Sequence, residues 1–176
     1  MRIFIFAIVF YGVAVSSAIA ESGVLEINWS KLNGSKSLVS ARRAPYPKVL
    51  TQGVREVTLP VYLPASLAYH KEISVVADKN FYTLTLKLKG ATLIASGDRT
   101  YQQSVQDSPQ LEGVMPSSSA ASFTRAEGMM TTDFSRLGAN YSLELECDKP
   151  DQDSRCLQGS FLKGLYQELV LVGGHS

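Results

Sequence analysis

Residues 81–88 (FYTLTLKL) carry the pattern that most constrains the fold, an alternation of apolar and more polar side chains. The tyrosine and leucines at even positions face one way and the odd-numbered residues face the other, which is the period of a half-buried β-strand. Residues 89–90 (KG) allow a tight reversal because glycine tolerates a positive φ, and residues 91–96 (ATLIAS) then pair back. With a strand at 72–77 and a turn at 78–80, the pattern predicts a three-stranded antiparallel meander.

Similar patterns elsewhere extend the predicted sheet. We expect further strands at 57–63, 122–126, 129–134, 141–147 and 168–172. Pro60 lacks an N–H, so the first of these strands should lie at a sheet edge or carry a bulge. After a capping residue at Asp153 or Ser154, the apolar residues from 157 to 169 follow helical spacing. The predicted fold class is mostly β, with α+β as an alternative: an antiparallel meander or sandwich, or a small open barrel, with one C-terminal helix.

The N-terminus has the pattern of a secretory signal peptide. Arg2 precedes an uncharged apolar run at 3–15, and Ala18 and Ala20 are the small residues that a signal peptidase accepts. The strongly apolar part is shorter than the roughly 20 residues that a membrane-spanning helix needs. We therefore expect a mature chain that begins at Glu21, without a transmembrane segment after cleavage, in an exported protein that is periplasmic or secreted.

The cysteine content predicts one covalent link. Cys147 and Cys156 are the two cysteines, and in an oxidising compartment an isolated pair is typical of a disulfide. A zinc site needs three or four ligands, and the chain offers only His70 and His175 beside this pair. We predict no metal site and no cofactor.

Charge divides the mature chain into two parts. Residues 21–53 hold five basic and two acidic residues, whereas residues 54–176 hold 11 basic and 14 acidic residues. The near-neutral total is atypical of nucleic-acid-binding proteins, which usually have a strong basic excess. We therefore predict a signal peptide at 1–20, a basic N-terminal arm or linker at 21–53, a single β-rich domain at 54–176, and no nucleic-acid partner.

The basic arm holds the candidate surface-binding residues Trp29, Arg42 and Arg43. Trp29 is the only tryptophan, and cations interleaved with aromatic rings suit an anionic surface, since the cations attract it and the rings insert at the interface. The partner would then be an anionic surface or another exported protein. The alternative is that the arm lies on the acidic domain of its own chain.

Motifs for catalysis are incomplete. Ser160 and Lys163 fit Ser-x-x-Lys, but the companion motifs of penicillin-recognising enzymes are missing. A Ser-His-Asp triad would have to use His70, and the chain has no Gly-x-Ser-x-Gly elbow. We predict no catalytic residue.

Charged side chains near the predicted strand ends leave two more hypotheses open. The acidic residues at 144–153 could offer oxygen ligands, although their spacing does not fit an EF-hand loop. Charged residues such as Asp98, Arg99, Asp133 and Arg136 could line a groove or form rim ion pairs.

The predicted function is that of an exported non-catalytic binding or accessory protein of the envelope or the secreted fraction. Two alternatives stay open. One is a carrier that holds a small apolar ligand in a β-barrel cavity, and the other is a hydrolase with an unrecognised site.

Overall fold

The computed structural model describes residues 21–34, 45–103 and 121–176, and the following bounds refer to these ranges. The strands are β1 (Glu21–Val24), β2 (Val61–Pro64), β3 (Ile73–Asp78), β4 (Phe81–Leu88), β5 (Ala91–Asp98), β6 (Thr100–Gln103), β7 (Ser122–Ala126), β8 (Met129–Arg136), β9 (Ala139–Cys147) and β10 (Leu169–Gly173). The helices are α1 (Trp29–Gly34), α2 (Lys48–Gly53), α3 (Ser154–Leu157) and α4 (Ser160–Gln167), with a 3₁₀ turn at Ala65–Leu67.

Six strands form one antiparallel sheet in the order β3-β4-β5-β9-β8-β7, and the pairs β1–β6 and β2–β10 form two small antiparallel sheets. The mostly-β fold class and the meander of β3, β4 and β5 are therefore confirmed. The six-stranded sheet stays open, because β3 and β7 are its two edges and do not pair with each other.

Two elements differ in extent from the predicted ones. Of the predicted strand at 57–63, only residues 61–63 are paired, as part of β2. The Thr58 N–H donates to the Lys79 carbonyl rather than to a neighbouring strand. Val57 and Leu59 are nevertheless buried. The predicted C-terminal helix is two short helices, α3 and α4, since Gln158 between them has an extended backbone.

Alternation in the strands separates a buried face of the six-stranded sheet from a solvent face. Leu84, Leu86, Leu143 and Leu145 are all buried. The opposite face is lined mainly by short hydroxyl side chains and carboxylates, which is typical of an antiparallel sheet with one face in water. These include Thr83, Thr85, Ser96, Thr131, Ser142 and Glu144.

A second layer covers the buried face. Helix α4 contributes Leu162 and Leu165, the β2–β10 pair contributes Leu63 and Val172, and α2 contributes Leu50, which is fully buried. The core thus includes side chains from residues 45–53, the part of the predicted arm that adjoins the domain.

Three tyrosines meet inside this core. Tyr82 accepts a hydrogen bond at its hydroxyl from the backbone N–H of Tyr62 (3.0 Å), and burial raises the pKa of Tyr82. The ring of Tyr141 lies edge-on to that of Tyr62, with 5.2 Å between centroids. Its hydroxyl is buried and has no hydrogen-bond partner among the described residues. One buried hydroxyl therefore satisfies a backbone donor and the other satisfies none.

This difference predicts opposite outcomes for two matched substitutions. Tyr82→Phe leaves the Tyr62 N–H unpaired and should lower the free energy of unfolding by about 1–3 kcal/mol. Tyr141→Phe removes a hydroxyl without a partner and should leave the free energy of unfolding unchanged or raise it. Urea denaturation measures both, and equal losses in the two variants would show that the hydroxyls are placed wrongly.

Candidate functional site

Three connections lie at one end of the six-stranded sheet, which we call the turn end. Phe81 pairs with Asp98 and Asp98 pairs with Asn140, so the β3–β4 turn, the end of β5 and the β8–β9 turn are neighbours. Both ends of the described chain meet them there. Leu25 N donates to the Arg99 carbonyl (2.6 Å) and His175 N donates to the Val57 carbonyl (3.1 Å).

The β8–β9 turn anchors the N-terminal segment. Leu137 and Gly138 both have positive φ, at 57° and 93°, as a type I′ hairpin requires. The Leu137 carbonyl accepts a hydrogen bond from Asn28 N (2.8 Å). A Cβ at position 138 would collide with the carbonyl oxygen of Glu26. Gly138 therefore permits both the turn and the close approach of residues 26–28.

A groove of about 440 Å³ lies beside this anchored segment, and we call it the Trp29 groove. It is lined by Val24, Leu25, Glu26, Ile27, Trp29, Arg99 and Ser176. Trp29 is half-buried and Val24 is 46% exposed, so the groove presents apolar surface to water. The guanidinium of Arg99 is held by neutral acceptors, with Nε donating to Asn80 Oδ1 (2.9 Å) and Nη1 donating to the Thr58 carbonyl (3.3 Å).

A second groove of about 350 Å³ adjoins the first, and we call it the Arg55 groove. It is lined by Arg55, Glu56, Thr58, Lys79 and His175. The N–H and the hydroxyl of Thr58 both donate to the Lys79 carbonyl, each at a distance of 2.8 Å. These two hydrogen bonds hold Thr58 against the β3–β4 turn. Since the Thr58 carbonyl accepts from Arg99, Thr58 connects the two grooves.

The cations of the two grooves are not neutralised by ion pairs. The structure has two ion pairs among its described residues, Arg125–Asp151 and Asp153–Arg155. Neither involves Arg55, Lys79 or Arg99. Arg55 and Lys79 are exposed, whereas Arg99, in the groove with Trp29, is partly buried. Exposed cations can attract an anionic group over roughly a Debye length, about 8 Å at physiological ionic strength.

The groove linings carry little that could catalyse a reaction. The Thr58 hydroxyl is engaged with the Lys79 carbonyl, and the His175 ring is exposed and contacts the carbonyl of its neighbour Ser176 (3.1 Å). A nucleophile activated by a base requires a hydrogen bond between the two groups. Arg55, Lys79 and Arg99 could bind an anionic group.

The structure brings only part of the predicted surface-binding set to the turn end. Trp29 lies there, whereas Arg42 and Arg43 lie outside the described residues. The sequence did not single out Lys79, Arg99 and His175 as partners of Trp29, because turns far apart in the chain bring them together. A signal existed for Arg55, since it continues the acid-free basic stretch that starts after Glu26.

The cysteines form the predicted disulfide at the opposite end of the sheet. The Cys147 and Cys156 sulfurs are 2.07 Å apart, and both residues are buried. The bond joins the end of β9 to α3. It therefore belongs to the fold and lies away from the two grooves.

Two of the acidic residues near the disulfide, Asp151 and Asp153, are engaged with cations. Asp153 caps α3 by accepting from Arg155 N, and hydrogen bonds from the Arg155 side chain lower the pKa of Asp153 to about 2. Asp151 pairs with Arg125 (2.6 Å). In the part of the chain that the structure describes, no three His, Cys, Asp or Glu side chains cluster in a way that could hold a metal ion.

The remaining candidates are scattered over the surface. Ser160 and Lys163 are both exposed on α4, and the His70 ring contacts the backbone carbonyl of Lys87. The Arg136 guanidinium stacks over the Tyr62 ring, 4.9 Å from its centroid, rather than joining Arg99. These residues do not assemble into one site.

The chain matches no known protein family, and no curated protein or solved structure is significantly similar to it. Among the described helices, none has the length and apolar character needed to cross a bilayer.

The anchoring of Trp29 can be tested at Gly138. Gly138→Ala should detach residues 24–29 from the turn end, because the new methyl group collides with the Glu26 carbonyl. The fluorescence of Trp29, the only tryptophan, should then shift to longer wavelength as the ring becomes more exposed.

Gly90→Ala is the matched control for this variant. Gly90 also has a positive φ of 75°, but its Cβ would meet only the far end of the Arg155 side chain, at 3.4 Å. Gly90→Ala should introduce the strain of a positive φ without the fluorescence shift. The same shift in both variants, or in neither, would contradict the anchoring.

Proposed function

We propose that the protein is an exported, non-catalytic binding protein that uses its turn end to bind an anionic surface. The observation that carries this proposal is the Arg55 groove, where Arg55 and Lys79 pair with no described acid. The Trp29 groove continues it with an indole ring and the exposed side chain of Val24. Cations and apolar groups on one continuous surface suit lipid headgroups, because the headgroups supply the anion and an apolar boundary below it.

Two further features support the proposal. The Cys147–Cys156 disulfide is of the kind that persists in oxidising compartments, in keeping with export. The inner face of the sheet is filled by fully buried side chains such as Leu84, Leu86 and Leu93. A carrier of a small apolar ligand needs space at this position, so binding at an outer surface fits the packing better.

The test compares two double variants on vesicles of phosphatidylglycerol and phosphatidylcholine. Arg55→Gln with Lys79→Gln should weaken binding by about 30-fold, since each cation near an anionic surface contributes about 1 kcal/mol. High salt should also weaken binding of the wild-type protein to the vesicles. The melting temperature should not change, because neither side chain pairs with another described residue.

Lys89→Gln with Lys149→Gln is the control, because it removes the same charge at the opposite end of the sheet, where both residues are exposed. This variant should bind the vesicles as the wild type does. An equal loss in both double variants would indicate a general effect of net charge. Salt-insensitive binding, or no binding of the wild type, would refute the proposal.

A further inference from the structure

Strand β3 forms an edge of the six-stranded sheet with unpaired backbone groups. Lys87 N donates to the Glu72 carbonyl (3.0 Å). Glu72 and Lys87 are therefore a hydrogen-bonded pair, and hydrogen-bonded and non-hydrogen-bonded pairs alternate from there along the β3–β4 ladder. Even-numbered residues of β3 bond to β4, so the N–H and C=O groups of Ile73, Val75 and Ala77 point away from the sheet. These groups make no hydrogen bond with any described residue. Such a row can pair with an added strand.

The side chains along the solvent face of this edge form a simple pattern. Glu72 and Asp78 are exposed acids at its two ends, with Ser74 between them. Val76, also between them, is 64% exposed. Neither acid makes an ion pair within the described ranges. The edge is therefore negative at both ends and apolar near its centre.

This pattern disfavours a second copy of the chain as the added strand. Two-fold antiparallel pairing about Val75 would place Glu72 opposite Asp78 of the other copy and Lys71 opposite Lys79. Like charges directly opposite each other destabilise a strand pair. The preferred strand has the opposite pattern, with a cation at each end and an aliphatic residue between them.

We propose that the β3 edge binds, by strand addition, an extended segment of a partner protein with two cationic residues six positions apart. Its backbone pairs with Ile73, Val75 and Ala77, as in other cases where a peptide extends a sheet. Its cations meet Glu72 and Asp78, and its aliphatic residue covers Val76. This site adjoins the turn end at Asp78, which precedes Lys79 of the Arg55 groove, and it has the opposite charge preference.

The probe is a fluorescent peptide, SKSLVSARRA, titrated into the full chain. It has the sequence of residues 35–44, in which Lys36 and Arg42 have the required spacing with aliphatic residues between them. The comparison peptide SKRRSLVSAA holds the same residues with the cations adjacent. We expect the probe to bind at least tenfold more tightly than the comparison peptide.

Two changes at the edge should each weaken binding of the probe at least tenfold. Ala77→Pro removes an outward N–H and leaves the hydrogen bonds to β4 intact. Glu72→Gln with Asp78→Asn removes both charges without altering the backbone, so it remains informative if the proline variant does not fold. Asp98→Asn with Glu146→Gln is the control, because both residues are exposed acids on the same face, on β5 and β9, and it should bind the probe normally.

Three results would overturn the proposal. If neither edge variant affects probe binding, the probe binds at a site other than the β3 edge. Probe binding that appears only after Lys36 and Arg42 are replaced by glutamine would mean that the chain's own segment takes this edge. Self-association of the wild type that Ala77→Pro abolishes would assign the edge to a second copy. Normal probe binding by the Arg55 and Lys79 double variant separates this site from the proposed function.

Discussion

Burial of one face of the six-stranded sheet is the interaction on which the rest of the structure depends. Leu86, Leu93, Leu145 and Met130 stand side by side on four neighbouring strands, and all are buried. Each leucine removed from water contributes roughly 1.5–3 kcal/mol, so this row favours one register for β4, β5, β9 and β8. A sheet with a single buried face needs a second layer, which α2, α4 and the β2–β10 pair supply.

The surfaces proposed to bind partners follow from this arrangement. The second layer covers one face only, and α2 reaches β3 on that face, where Gly53 packs against Val75. On the opposite face, side chains of β3 such as Val76 remain exposed. At the turn end, residues 24–29 bond to the β8–β9 turn and Arg99, whereas Thr58 bonds to the β3–β4 turn and His175 bonds to Val57. The sheet register makes these two turns neighbours. The acids Glu72 and Asp78 stand along the β3 edge, whereas the grooves combine the cations Arg55, Lys79 and Arg99 with the acids Glu26 and Glu56.

Sequence periodicity predicted the central strands well and the periphery poorly. β4 and β7 have the predicted bounds, because alternating side chains report burial on one face. The short elements β1, β6, α1 and α2 have no clear period, and contacts with distant residues determine them. At the candidate site the sequence singled out Trp29, because it is the only tryptophan and lies in a basic stretch. It gave no sign of Lys79 and His175, because residues nearly a hundred positions apart meet there only through the topology of the sheet.

Hydrogen–deuterium exchange of the full chain, with and without anionic vesicles, tests most directly whether the turn end is the binding surface. Bound vesicles should slow exchange of backbone amides at 24–30 and 54–58, where the two grooves lie. The disulfide end, at 147–156, should exchange at the same rate in both samples. Slower exchange at 147–156 with no change at 24–30 and 54–58 would contradict the account.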